Sequence, residues 1–373
     1  LRKAFLIVFL FIFLSFFFFF KIRYNMVDFE VYWKSGKRLA AVQSLYIPED
    51  GHYVLKYIPF FTFLALPFSL FPLPISKAIW YFLSVIFVFL FFHFSFKIIP
   101  ERKVKTWIII LFSGLTIFKF IARELDLGQT NIFMGTLFLI GFEFLKSKKE
   151  FLSGLFLSLS FVVKPYSAIS MPYLLLRKKF KPFLYLFFLI LLFFILPSIL
   201  YGLEGNWRLI NDWLKTVFSS TPHLLLSNDN VSIMGMFSKW FGIGKISFTL
   251  SIFTILIFLL AFFLSIFKGK ILKSPEPLEI SLILTFIPLL SPQGWDYVFL
   301  LSLPSLMILI NFYRELPVSL RIIIAISFFT IGFSIFDLMG RKAYEKFMEI
   351  SVITISYFVI IFSLFYLRMK RIA

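Results

Sequence analysis

The chain has 373 residues, 60% of them hydrophobic and 15% charged, with a formal net charge of +19 and no cysteine. A soluble domain carries about a quarter of its residues as charges, so this composition excludes a water-soluble globule and points to a membrane protein. The absence of cysteine excludes disulfides, thiolate metal sites and cysteine nucleophiles. Lys and Arg fall in short clusters between apolar runs, which is the pattern of cytoplasmic loops facing anionic lipid and not of nucleic-acid binding.

The first apolar run, 4–20, follows Arg2 and Lys3. No small-x-small cleavage site follows it; Lys21-Ile22-Arg23-Tyr24 does, so the run reads as a retained first span and not a signal peptide. Next comes a polar segment, 21–57. Within 27–42, Phe29, Tyr32, Trp33, Gly36 and Ala40 recur at helical spacing, while Lys34, Lys37 and Arg38 fall on other faces. The spacing predicts an amphipathic helix lying in the membrane interface. Asp28 stands at its N terminus, with Tyr32 one turn later on the same side. Two roles suit Asp28: a helix cap, or a general base at the water–lipid boundary.

Further apolar runs predict spans at 58–71, 77–96, 106–121, 132–145, 151–163, 167–176, 182–201, 248–267, 278–290, 298–312, 321–337 and 350–367. At ~20 residues per crossing this predicts an all-α integral membrane bundle with about 10 to 13 transmembrane helices, a single polytopic domain over 1–373. No period-2 alternation supports a barrel. A stretch at 231–241 is too short to cross. The runs at 132–145, 151–163 and 167–176 are short, and Lys164-Pro165 interrupts them; broken helices of this kind line cavities inside membrane proteins.

Arg2 and Lys3 place the N terminus inside and the 21–57 loop outside, and the basic clusters at 146–149, 177–181, 268–273 and 368–371 fit inside. The cluster at 97–105 breaks this alternation unless 58–71 is a partial span. The polar stretch 202–230 and the Ser291–Tyr297 turn are expected on the outer side with 21–57.

Several polar residues have two roles open to them. Lys164 reads as the one Lys set within an apolar stretch: a snorkelling helix end, or a cation for a lipid phosphate. Gln129 and Asn131 sit at a helix junction, where capping and interhelical bonding compete with substrate contact. Asn228, Asp229, Asn230 and Ser232 form a polar cluster that suits an ordinary capped loop. Trp295 reads as an interface anchor, and Asp296 as a partner for a cation. There is no Walker loop, HExxH or GxSxG, and His52, His93 and His223 are scattered, so no metal is expected.

Asp28-Phe29-Glu30-Val31-Tyr32-Trp33, then Leu45-Tyr46, then Tyr57-Ile58-Pro59 with Leu66-Pro67 resembles the opening of glycosyltransferase family 87. Gly128-Gln129-Thr130-Asn131, the stretch from Gly154 to Lys164-Pro165, Asn230-Val231-Ser232, and Ser291-Pro292 with Trp295 resemble its later landmarks, over roughly 24 to 300. Members often carry His after the late Trp; here Asp296 and Tyr297 follow. The resemblance implies a fold of the GT-C type at the cell membrane, with its active site on the non-cytosolic face. It implies inverting transfer of a hexose, mannose above others, from a polyprenyl-phosphate sugar to a lipid-linked or glycan acceptor. No cofactor is implied beyond that donor. Asp28 would be the general base, Lys164 and Arg123 the cations for the leaving phosphate, and Tyr32, Tyr57, Gln129 and Asn131 contacts for sugar hydroxyls; Asn230, Trp295 and Asp296 complete the candidate substrate contacts. A transporter or flippase without transferase chemistry is the alternative, and a non-catalytic scaffold a third.

Overall fold

The structure, a computed structural model, describes residues 12–372 apart from 100, 270, 271 and 273. Arg2, Lys3, the start of the expected first span, and Lys270 and Lys273 of the 268–273 cluster lie outside the described residues. Those described form helices joined by turns, and 12–20 are helical as expected.

The amphipathic helix expected within 27–42 is present as α1, Val27–Ala40. It opens at Met26, a left-handed residue with φ 49° that makes no side-chain cap. Asp28 is therefore the second helical residue, and the capping role does not hold. The buried stripe is Phe29, Tyr32, Ser35, Gly36 and Leu39; Ala40, expected on it, is exposed. This stripe packs on α2, Phe61–Ser69, so α1 rests on protein along that face.

At nine residues, α2 reaches only ~14 Å at ~1.5 Å per residue, about half the ~30 Å hydrocarbon layer. The 58–71 run thus folds as a helix too short for a full crossing. The chain continues through α3, Leu73–Lys97, α4, Thr106–Leu127, α5, Asn131–Lys146, and α6, Glu150–Val163. A 3₁₀ turn at Pro165–Ile169 leads into α7, Ser170–Leu176, then α8, Phe180–Ile195, and α9, Ser198–Leu224. After α9 come α10, Ile233–Phe241, α11, Lys245–Gly269, and α12, Glu276–Leu290. A 3₁₀ stretch at Asp296–Ser302 precedes α13, Leu303–Asn311. The last helices are α14, Val318–Phe333, α15, Phe336–Met339, α16, Arg341–Glu349, and α17, Val352–Met369.

Among the described residues, α3, α11 and α17 are long and apolar enough to cross a membrane. The pair α8 and α9 meets the same test as one span broken by a 90° bend. The protein is thus an all-α polytopic membrane protein, but most of the runs expected as separate spans fold as helices shorter than a full crossing. The expected polar loop at 202–230 is largely the helix α9, kinked at Gly202 where φ is 67°.

The chain divides into two compact units: residues up to 90 together with 122–219, and 91–121 together with 220 onward. In the first, α5, α6 and α8 pack in series beside the α1–α2 pair. The α6–α8 approach depends on Gly154, where a Cβ would stand 2.5 Å from Tyr185 Cβ and 2.9 Å from the Leu186 nitrogen. The Lys181–Glu150 ion pair, at 3.6 Å, brings the two basic turns at 146–149 and 177–181 to the same end of these helices. A small core of Leu39, Leu45, Tyr46, Leu55 and Leu209, flanked by Tyr201 and Trp213, seats the 41–57 segment on α9. Trp213 Nε1 donates to the Lys56 carbonyl at 3.0 Å and Tyr46 Oη to the Tyr57 carbonyl at 2.7 Å. In the second unit, α17 packs on α11, α12 and α14. Arg368, expected in the last basic cluster, is instead fully buried, 3.5 Å from Glu279.

Candidate active site

Three backbone signals in the first unit bring polar side chains to one place. Gly128, with φ 70°, ends α4. Its N–H bonds the Leu125 carbonyl at 3.3 Å and the Gln129 N–H bonds the Glu124 carbonyl at 3.0 Å, a Schellman closure that only a left-handed residue permits without strain. A Cβ at this position would lie 2.7 Å from Phe29 Cβ. The next helix starts at Asn131, so Gln129 and Asn131 project from a junction with almost no slack. Pro165 then disfavours helix at the residue before it. Lys164 accordingly turns extended, with φ −152° and ψ 126°, and ends α6. Gly128→Ala is expected to lower stability by about 1–3 kcal/mol and to displace both amides; a thermal melt read beside turnover checks it, and unchanged values of both would refute it.

The side chains form one hydrogen-bonded series. Gln129 Nε2 donates to Asp28 Oδ2 at 2.7 Å. Lys164 Nζ donates to Gln129 Oε1 at 3.1 Å and to Asn131 Oδ1 at 2.7 Å. Asn131 Nδ2 donates to Glu124 Oε2 at 2.7 Å, and the Ile132 N–H to Glu124 Oε1 at 2.9 Å. Beside it runs a row of hydroxyls: Tyr32 Oη lies 2.7 Å from Tyr57 Oη, which lies 2.9 Å from Thr130 Oγ1. The Tyr57 and Phe61 rings stack at 4.2 Å, and Lys164 Nζ stands 5.9 Å from the Tyr57 ring.

Burial pushes the half-buried Asp28 carboxyl above the usual carboxylate range; the Gln129 hydrogen bond, Lys164, Lys56 and His52 oppose it. Burial pushes the Lys56 amine down, against the pull of Asp28. Asp28 is thus a carboxylate more basic than usual, with one oxygen tied to Gln129.

An apolar cavity of about 170 Å³ adjoins this series. It is walled by Phe61, Leu64, Ala65 and Phe68 of α2, Trp80, Leu83 and Phe87 of α3, Phe133 and Leu137 of α5, and Val163 of α6, with Thr130 at its edge. Thr130 belongs to both the cavity and the hydroxyl row, and Val163 is followed directly by Lys164.

Of the residues singled out from the sequence, Asp28, Tyr32, Tyr57, Gln129, Asn131 and Lys164 meet here. Arg123 lies exposed on the last turn of α4, beside the buried Glu124. Asn230, Trp295 and Asp296 belong to the second unit. There Asn230 and Trp295 form a β-bridge, and the Asn230 amide donates to the Leu224 and Pro292 carbonyls at 3.1 and 2.8 Å while accepting from the Ser232 N–H at 3.0 Å. Its polar groups thus hold a turn. Lys164 is not the one Lys in an apolar run: Lys119 in α4 donates to the Ser334 carbonyl at 2.9 Å, and Lys239 in α10 donates to the Asn228, Asn230 and Met348 carbonyls at 2.9, 2.7 and 3.1 Å.

Glu124 was not anticipated. Its signal was present: Ile117, Phe120 and Glu124 follow helical spacing, and all are buried at 0, 1 and 1% exposure, so the carboxylate continues an inward stripe. Among the described residues, no group of three His, Cys, Asp or Glu could hold a metal ion.

No curated protein and no solved structure matches the chain significantly. The family model of glycosyltransferase family 87 matches residues 55–292. That stretch contains Tyr57, Arg123, Gln129, Asn131, Lys164 and Asn230; it begins after Asp28 and Tyr32 and stops before Trp295 and Asp296, and so is narrower than the span over which the sequence landmarks run. With well over half its length matched, this chain belongs to glycosyltransferase family 87 and is a membrane glycosyltransferase.

Proposed function

We propose that the protein transfers a hexose, mannose by the family resemblance, from a polyprenyl-phosphate sugar to a hydroxyl of a lipid-linked or glycan acceptor, with inversion and with Asp28 as general base. The observation that carries this reading is the shared wall between the apolar cavity and the polar series at Thr130 and Val163–Lys164. A cavity of that size takes a group about as large as a benzene ring. It suits the first isoprene units of a tail, with the remainder lying along the lipid-facing surface. A phosphate attached to such a tail would reach Lys164, whose ammonium offsets the charge of the leaving group. The acceptor oxygen attacks the sugar's anomeric carbon as its proton passes to Asp28. The bond from that carbon to the phosphate oxygen breaks, and its electron pair leaves with the polyprenyl phosphate. Tyr32, Tyr57 and Gln129 offer groups for sugar hydroxyls.

Orientation supports a non-cytosolic site, and the family resemblance implies the cell membrane. Asn131 begins α5 and Lys164 follows the end of α6, while the basic 146–149 turn joins the two helices at their other ends. The 16 residues of α5 separate them by ~24 Å. Basic turns mark the cytoplasmic side.

The test is transfer by membranes containing the protein, supplied with labelled polyprenyl-phosphate mannose and extracted lipids. A labelled glycosidic product is expected. Transfer from a soluble nucleotide sugar and none from the lipid-linked donor would refute the reading, as would movement of the labelled lipid across the bilayer without a new glycosidic bond.

The electrostatics set a pH dependence. Because burial raises the Asp28 carboxyl, the acid limb of kcat/KM should lie above the ordinary Asp value of ~3.9, activity falling as pH drops through it. The Gln129 hydrogen bond lowers that value, so Gln129→Leu should move the limb to higher pH, and Lys56→Gln should do the same. A limb that stays fixed in both variants would exclude Asp28 as the titrating base.

A further inference from the structure

Glu124 touches neither the cavity nor Asp28, yet it anchors one end of the whole donor and acceptor series. An ionised carboxylate only accepts hydrogen bonds and an ammonium only donates them. Lys164 requires the oxygen of the Asn131 amide, at 2.7 Å, and Glu124 holds that amide in place by accepting from its nitrogen, at 2.7 Å. Lys164 also requires the oxygen of the Gln129 amide, which leaves Gln129 Nε2 for Asp28. Each amide has one orientation open to it, and the Ile132 N–H pins the second Glu124 oxygen at 2.9 Å. Around Lys164 stand the carboxylates of Glu124 and Asp28, the two amides, and the rings of Tyr57 and Tyr166, each 5.9 Å from Nζ; Asp28 also faces Lys56 and His52.

We infer that Glu124 is a positioning residue for the transfer reaction, fixing the Lys164 ammonium through Asn131 and, through Lys164 and Gln129, the rotamer of Asp28. This rests on Asp28 being the base. Glu124→Gln keeps the size and one acceptor for the Ile132 N–H, but its amide can satisfy Asn131 only by turning an N–H elsewhere in the series. The variant also removes the charge that favours protonated Lys164.

The experiment measures kcat, donor and acceptor KM, and the pH–rate profile for the full-length protein in membranes, with labelled polyprenyl-phosphate mannose as donor. Glu124→Gln should lower kcat roughly ten- to a hundredfold, the range of one hydrogen bond to a charged group, and leave acceptor KM unchanged. Its alkaline limb should move to lower pH, since Lys164 loses its proton more easily. Adding Lys164→Arg should abolish that shift, because Arg stays charged throughout. Asn131→Ala cuts the link while leaving Glu124 on the Ile132 N–H, and should reproduce the kcat loss. Melting temperatures are read for each variant. Lower melting temperatures with wild-type kcat and pH limbs would make Glu124 purely structural and overturn the inference; so would failure of both Glu124→Gln and Asn131→Ala to fold while Lys164→Arg folds and is active. A wild-type protein that does not use the donor, or an active Asp28→Asn variant, would instead refute the proposed function itself.

Discussion

Asp28→Asn is expected to fold like the wild type and to lose about 10²–10⁴-fold in turnover, the usual contribution of a positioned base. The structure makes this a clean substitution. Asp28 does not cap α1, since Met26 holds that position. Its bonded oxygen accepts from Gln129 Nε2, and an Asn oxygen of the same size accepts that bond equally well. What disappears is the second carboxylate oxygen, the one that takes the acceptor's proton in the proposed reaction. Glu30→Gln is the control. Glu30 pairs with Lys77 at 2.7 Å, but Lys77 also donates to the Arg23 and Asn25 carbonyls at 3.0 Å each. Its loss should therefore change turnover less than about tenfold, or ~1.4 kcal/mol. Labelled transfer and a thermal melt on both variants decide the matter: a folded Asp28→Asn protein at the wild-type rate removes Asp28 from catalysis.

Lys164→Ala should cost more in stability than any other change in the series. It strips the cation from between Glu124 and Asp28 and leaves the buried Glu124 with only the neutral donors Asn131 Nδ2 and the Ile132 N–H. Lys164 is half-buried and reaches Glu124 through Asn131, so the loss is that of hydrogen bonds to a charged group, about 1.5–3 kcal/mol, and the melting temperature should fall by several degrees. The same change should weaken donor use roughly ten- to a hundredfold, because the proposed phosphate contact goes with it, and acceptor use less. Lys164→Arg should recover most of the stability and part of the activity, since charge is kept and geometry changes. Melts and separate donor and acceptor titrations check this; equal loss toward both substrates would detach Lys164 from the phosphate.

The elements written in backbone terms were readable from the sequence. The helical spacing of Phe29, Tyr32 and Gly36 appears as α1, and the Lys164-Pro165 break ends α6 where the proline requires it. Gln129 and Asn131 were visible as a junction because Gly128 marks one. Side-chain direction was harder to read. Arg123 and Glu124 are neighbours on α4, about 100° apart around the helix, and only the second turns inward; a run of charges at a helix end hides which one. Lys119 is masked in the same way by the apolar residues on either side. The 202–230 stretch looked like a loop because its polar residues obscure the face that carries Leu209 and Trp213. Asn230 carried no mark to show that its amide would be used up in bonds to the Leu224 and Pro292 carbonyls and the Ser232 N–H.

The polar groups of the series all come from helix ends: Asp28 at the start of α1, Glu124 in the last turn of α4, Gln129 and Asn131 at the next junction, Lys164 after α6. Most of the cavity walls come from the bodies of α2, α3 and α5. Ends are placed by backbone signals, a left-handed Met26, a left-handed Gly128 and a proline; walls are placed by side-chain bulk. The two are therefore set by different residues. Exchanging Leu64, Leu83 or Leu137 for larger or smaller side chains would change the volume of the cavity while leaving the backbone signals that place the polar series as they are.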